Sequence, residues 1–322
     1  MRTRIRPSAR LAVTAVAFAL VAASCGSDSK AGTATTTGSA GSQPSVTTPA
    51  GAASTTPGAV STTPAGGAST NPAPATGSGA GIKLAVNPWT GSAVNANVAK
   101  VVLESKLGTP TTLVPLDENA AWVGLDAGDL DANLEIWPSG HAADYKTYIT
   151  DKKSVVDIGL LGPKAKIGWY VPSFVIDQHP ELKTWEGFKD PALAKLFATA
   201  NTGSKGQFLM GDPSYVTYDE QIIKNLNLPL QFVVAGSEAA LITAIQQAET
   251  DQTPLLLQFW QPHWLQSKVK LTEVKLPDVT DACLASAAAG DGKYACDYAP
   301  DPLYKAANAG LEAKNKAAFD FL

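Results

Sequence analysis

The sequence predicts an α/β protein built as two lobes, carried behind a processing signal and a long low-complexity tether. Three observations lead there. From about Gly81 onward, short apolar or β-branched runs alternate with segments of helical period, the pattern of sheets with helices on both faces. The stretch 81–322 is long enough to bury the cores of two modest lobes. Between Gly26 and about Ala80 the chain is Ser, Thr, Ala, Gly and Pro with almost nothing else, so it cannot bury enough apolar surface to offset its ordering entropy.

The elements follow in order. Arg2, Arg4, Arg6 and Arg10 form a basic start, and Leu11 to Ala23 form an apolar run too short for a comfortable membrane span. Val21-Ala22-Ala23-Ser24-Cys25 then reads as a bacterial lipobox, with residues 1–24 removed and Cys25 lipidated. An ordinary secretory peptide is the alternative. Residues 25–80 are expected to form a disordered, partly extended tether. The folded part opens with a strand at Ile82 to Val86 and a loop through Asn87-Pro88-Trp89. Ser92 can cap a helix carrying Val94, Val98, Val101, Val102 and Leu103 and ending near Gly108. A strand at Thr112 to Pro115, a helix from Asp117 to about Ala127 and a strand at Leu130 to Trp137 come next. Further strands are expected at 155–160, 166–171, 207–210, 231–234 and 255–260, and helices around 191–197, 217–226 and 237–249.

Charge and cysteines bound the function. The chain has 25 basic and 29 acidic residues, net −4, and loses four arginines with the signal, leaving 21 against 29, or −8. No basic stripe marks a nucleic-acid partner. Cys283 and Cys296 sit in a Gly/Ala/Asp-rich stretch that a disulfide could close, which would stabilise by about 3 kcal/mol in an oxidising compartment. Neither lies in a metal or redox spacing. GxSxG, HExxH and GxxxxGK[ST] are absent, and three dispersed histidines suggest no metal site, so no cofactor and no enzymatic activity are expected.

Seven tryptophans is a high count, and several fall where strands end beside Pro or Gly. Trp89, Trp137 and Trp260 follow or end strands, and Tyr215 lies in Gly211-Asp212-Pro213-Ser214-Tyr215 just past another. Ligands of α/β folds bind beyond the carboxyl ends of strands, so these four can converge on one cleft. A quaternary ammonium has no N–H to donate, and its diffuse charge is held by aromatic faces at about 0.5–2 kcal/mol each. Several faces around one headgroup could give micromolar binding. Trp122 and Trp185 read as structural, Trp264 as core, and His141 and His179 as surface or loop residues. Trp169 or Tyr170 could line the cleft at a lobe crossing.

Three segments carry a family resemblance. Ala127 to Trp137 (Gly-Asp-x-Asp…Glu-x-Trp), Gly211 to Tyr215, and Gln258-Phe259-Trp260-Gln261-Pro262-His263-Trp264 resemble the glycine betaine/choline-type substrate-binding proteins of ABC importers. The resemblance covers nearly all of the folded part. It implies a two-lobed periplasmic-binding-protein-like fold of type II, with a hinge and a ligand cleft between the lobes. Lobe 1 would hold about 81–172 and 261–322 and lobe 2 about 173–260, with crossings near Pro172 and Trp260. It implies that Trp137 and Trp260 are cage walls, with Tyr215 as a third aromatic and Trp89 as a fourth. Choline-binding relatives often carry Asp two residues after that fourth aromatic; Gly91 here tilts the choice toward a betaine. The betaine carboxylate would then take hydrogen bonds from backbone N–H groups around Gly211 and Asp212 and from His263. Glu135 shares a strand face with Trp137, and either biases the cleft toward a cation or pairs with a backbone N–H.

The function so implied is extracytoplasmic capture of glycine betaine or a similar osmoprotectant for an ABC importer permease, from a membrane anchored through lipid on Cys25. Capture of choline, carnitine or another solute, or a non-transport surface lipoprotein of the same fold, are the alternatives. Relatives usually continue past Leu322 with further helix, so lobe 1 is expected to be shortened at its C-terminal end.

Overall fold

The computed structural model describes residues 80–322. The expected signal, lipidation at Cys25 and the tether before Ala80 lie outside the described residues. Nine strands run in the order β2-β1-β3-β9-β4-β7-β5-β6, with β8 also on β4. They are β1 Ile82–Val86, β2 Thr111–Pro115, β3 Ala132–Ile136, β4 Val155–Pro172, β5 Gly206–Met210, β6 Leu230–Val234, β7 Leu256–Gln261, β8 Leu271–Val274 and β9 Asp301–Asn308. β1, β2 and β3 are mutually parallel, as are β5, β6 and β7. Each parallel triad forms a wing, and the 18-residue β4 joins them.

β4 is one irregular strand where the sequence suggested two. Its register slips between Asp157 and Leu160 and again before Lys164, and Gly159 (φ 96°) and Gly162 (φ 122°) take backbone conformations that other residues resist. Its first half pairs with β9 as far as Ala165, and from Lys166 it pairs with β7. The chain therefore changes wing at Ala165–Lys166 and returns at Asp301, not near Pro172 and Trp260. The cause is the segment after β7. β8 pairs with β4, and Cys283, Tyr294, Cys296 and Tyr298 pack into the same apolar cluster as Phe208, Phe259 and Trp169. Cys283 and Cys296 are bonded to each other, with Cα atoms 6.3 Å apart. Much of the expected loop between them is the helix Asp281–Ala289, capped by Thr280 and ended by Gly290 at φ 61°.

Helix α1, Thr90–Leu107, presents a different face from the one its valines suggested. Ser92, Ala96, Ala99 and Leu103 are buried, whereas Val94, Val98 and Val101 are 54–63% exposed. Small residues at helical spacing let α1 lie close on β1, which leaves the valines on the opposite side. Ser92 is not the cap: Trp89 holds the N-cap position, and the Ser92 hydroxyl accepts from the Asn87 N–H at 2.9 Å. Helix α2, Glu118–Ala127, starts at Asp117, whose carboxylate accepts from the Ala120 N–H, and ends at Gly128 (φ 79°). At the C-terminal end, the helix Lys316–Phe321 buries Ala318 and Leu322 with Leu84, Leu103 and Leu134.

Candidate functional site

All six parallel strands aim their carboxyl ends at the space between the wings, where ligands of α/β folds bind. Trp89 follows β1, Glu118 follows β2, and Trp137 follows β3. From the other wing come Tyr215, Val216 and Thr217 after β5, and Gln258 and Trp260 on β7. With Ile167 of β4, which pairs with Trp260 across the strands, these residues line one cavity of about 40 Å³. That volume holds about three water-sized spheres, the bulk of a compact headgroup and little more.

The four aromatic residues singled out from the sequence are thus brought together. Tyr215 stands edge-on to both Trp89 and Trp260, with ring centroids 6.0 and 5.7 Å apart. The Trp89 and Trp137 indole N–H groups both donate to Glu135 Oε1, at 2.7 and 3.1 Å, and Asn95 donates to Oε2 at 2.7 Å. Glu135 itself does not line the cavity. It is buried, which raises its pKa, and the three donors partly offset that rise. Its effect is to fix two ring planes and to turn their polar edges away from the cavity. Gly91 belongs to this arrangement and not to the cavity wall: a Cβ there would lie 2.9 Å from Glu135 Oε2.

Gly211, Asp212 and His263 stand behind the cavity wall. A Cβ on Gly211 would lie 2.8 Å from the Tyr215 ring, so glycine lets that ring pack down. Asp212 Oδ1 accepts from the Ser214 N–H and hydroxyl and its carbonyl from the Tyr215 N–H, which builds the turn carrying Tyr215. The His263 side chain meets Glu238 Oε1 through Nε2 at 3.0 Å and accepts the Leu265 N–H through Nδ1. It is committed to protein partners, because Glu238 at the start of the helix Glu238–Asp251 lies against it.

Glu238 also reaches across the cleft, where its Oε2 accepts from the Thr90 N–H and hydroxyl at 2.8 and 2.6 Å. Burial opposes ionisation of Glu238, but the bonds from His263 and Thr90 prevail and lower its pKa. Other bonds span the wings nearby: Tyr215 Oη to the Pro88 carbonyl, Tyr218 Oη to the Ser139 carbonyl, and the Val216 N–H to Glu118 Oε1.

Glu118, Val216, Thr217, Ile167 and Gln258 are cavity residues that sequence reasoning missed. Gln258 was legible, since it precedes Trp260 by two on one strand and so shares its face. Glu118 had a weaker signal, an acid opening a helix just past a strand end. Its partner His141 overturns the expectation of a surface residue. His141 is 1% exposed, with Nε2 2.6 Å from Glu118 and Nδ1 2.8 Å from Asp144. Burial alone would lower its pKa, but the bonds to Asp144 and Glu118 outweigh that and raise it to about 9. Trp264, expected in the core, is 49% exposed because it starts a short 3-10 turn on the surface. Trp169 and Tyr170 are buried away from the cavity, Trp169 donating to Asp219 and Tyr170 accepting from Gln261.

Residues 80–322 match the family described as the substrate binding domain of ABC-type glycine betaine transport system. The trimethylamine N-oxide-binding protein of Pelagibacter ubique is 28% identical over 242 residues, 74% of this chain and 75% of that relative. Among solved structures, the glycine betaine/L-proline-binding protein ProX from Borrelia burgdorferi superposes with a TM-score of 0.58 at 18% identity, over 74% of this chain and 79% of its own. Lactococcal OpuAC in its closed form with glycine betaine gives 0.53 at 19% identity, over 74% and 81%. At those identities the likeness is one of fold, two lobes around a cleft. The family match runs from the first described residue to the last, and the chain belongs to the substrate-binding domains of ABC-type glycine betaine transport systems.

Proposed function

We propose that this protein captures a small quaternary ammonium solute outside the cytoplasm, held to the membrane by lipid on Cys25, and delivers it to the permease of an ABC importer. The observation that carries this reading is the enclosure of one cavity by Trp89, Trp137, Tyr215 and Trp260, with two indole N–H groups drawn off onto Glu135. With those N–H groups spent on Glu135, the two indoles offer the headgroup their π faces. Four such faces contribute about 2–8 kcal/mol together, which spans weak to micromolar binding without any other contact. Trimethylamine N-oxide, glycine betaine and choline, the ligands in the names of similar proteins, share the trimethylated nitrogen that such a cage takes. Closure of the wings over the solute would form the Thr90–Glu238 and Tyr215–Pro88 contacts and give the permease a distinct surface to read. The protein acts by binding; no reaction is assigned to it.

Tryptophan fluorescence of the full chain, titrated with glycine betaine, choline, carnitine and trimethylamine N-oxide and with proline as a control, tests the proposal. Saturation by at least one quaternary ammonium compound or N-oxide supports it. A folded protein that responds to none of them refutes it.

A further inference from the structure

We propose that the cavity selects a trimethylated nitrogen compound whose second polar group is a single hydroxyl, and discriminates against one carrying a carboxylate, through Glu118 and Gln258. The inference rests on the quaternary ammonium reading above and narrows it.

The cavity has an aromatic part and a polar part, and the polar part decides what the far end of the ligand can be. Its side chains are Glu118, Thr217 and Gln258, and neither lysine nor arginine lines it. Glu118 is 8% exposed, with one oxygen on His141 and the other taking the Val216 N–H at 3.3 Å. The His141 imidazolium does not reach the cavity and is shared with Asp144. Two carboxyl groups against one imidazole make this triad acidic, with the Glu118 carboxyl as its cavity face. A ligand carboxylate placed there would meet a like charge in a confined space, with no cation to bridge them. Glu135, behind the two indoles, adds a second acidic group to the same field.

Gln258 supplies the complementary argument. It is 2% exposed, and its Oε1 has no hydrogen-bond partner. Strand alternation puts its carboxamide on the same face of β7 as Trp260, at the cavity wall. A buried amide oxygen left unpaired is unfavourable, and a ligand hydroxyl seated beside Gln258 relieves it by donating to Oε1. An N-oxide oxygen has no hydrogen to donate and carries negative charge, so it leaves Gln258 Oε1 unpaired and meets Glu118 as a carboxylate would. Gly91, which in sequence suggested a betaine, lies outside this cavity and lines a neighbouring pocket of about 380 Å³ with Glu135 and His263, which shares Trp137 and Trp260 with it.

Calorimetric titration of the full chain with choline, trimethylamine N-oxide, glycine betaine and tetramethylammonium tests this, on the wild type and on E118Q and Q258L. The expected wild-type result is that choline binds at least tenfold tighter than glycine betaine. Trimethylamine N-oxide, whose oxygen only accepts, should bind more weakly than choline. E118Q should narrow the gap at least fivefold by improving glycine betaine. Q258L should bring the preferred ligand down toward tetramethylammonium, which has no oxygen. Glycine betaine binding as tightly as choline to the wild type overturns the inference, and so does a ratio unmoved in both variants; either leaves the quaternary ammonium reading standing. Binding of none of the four removes that reading as well. A melting curve accompanies each variant, and if E118Q does not fold, the wild-type ratio and Q258L still decide.

Discussion

At the scale of single residues, Glu135 orders the aromatic walls. Its Oε1 holds two indole N–H groups and its Oε2 holds Asn95, so removing it strands buried donors as well as loosening rings. Each unsatisfied buried donor costs about 1–3 kcal/mol, and Glu135→Leu is therefore expected to destabilise by roughly 2–5 kcal/mol and to weaken binding at least tenfold. Chemical denaturation and titration of the same sample check it; unchanged stability would contradict the assignment. Gly91→Ala tests the same contact more gently. Its Cβ must displace Glu135 Oε2 from 2.9 Å, so affinity should fall several-fold although no cavity residue has changed. The aromatic residues were legible in the sequence because strand ends are, and strand ends are where this class of fold binds. His141 was not legible. Its burial depends on Glu118 and Asp144 meeting it from either side, one 23 residues away and one three residues away, and no local pattern announces that.

At the scale of elements, the strands that carry the site could be read closely, while α1 and the segment after β7 could not. Four valines outweigh three small residues in any hydrophobic count, yet Ser92, Ala96 and Ala99 face the sheet because close approach needs small side chains. Val98→Ser should therefore change stability by no more than about 0.5 kcal/mol, whereas Ala96→Leu should destabilise by about 1–3 kcal/mol. Thermal melts of the two variants separate the faces. β9, Asp-Pro-Leu-Tyr-Lys-Ala-Ala-Asn, lacks the β-branched composition of a strand and is made one by its neighbours β3 and β4. At the start of the helix Asp219–Asn225, Asp219 is fully buried, and burial raises its carboxyl to about 6 despite bonds from Trp169, Tyr298 and Thr217. A carboxyl raised in the folded state favours folding most when protonated, so its contribution is complete below the unfolded value near 4 and is lost as pH rises through about 6. Asp219→Asn should abolish that loss and be more stable than wild type at pH 8 by about 1–3 kcal/mol. A melting temperature that follows the wild type from pH 4 to pH 8 would contradict it.

At the scale of the whole molecule, two wings joined through β4 meet around the aromatic cavity, and Glu238 ties them by accepting from Thr90 on one side and meeting His263 on the other. The lowered pKa of Glu238 means that its contribution is present above the ordinary carboxylate range and is lost as pH falls through its folded value. Thr90→Val removes the hydroxyl bond but no cavity residue. Ligand dissociation is expected to quicken several-fold with little change in association, as stopped-flow fluorescence would show. The two-wing plan was legible from alternation and length. The places where the chain changes wing were not, because they depend on β8 and the disulfide-bonded segment folding back onto the second wing.

The central claim is that four aromatic faces hold a cation, and the most direct test compares two ligands of one shape. Choline and its neutral carbon isostere, with a tert-butyl group in place of the trimethylammonium, fill the same space and bury the same apolar area. Cation–π contacts to several rings predict binding of the isostere at least thirtyfold weaker by calorimetry, with most of that difference lost in Trp260→Ala. Equal affinity for the two would show that the cavity selects by shape alone, and would contradict the cage.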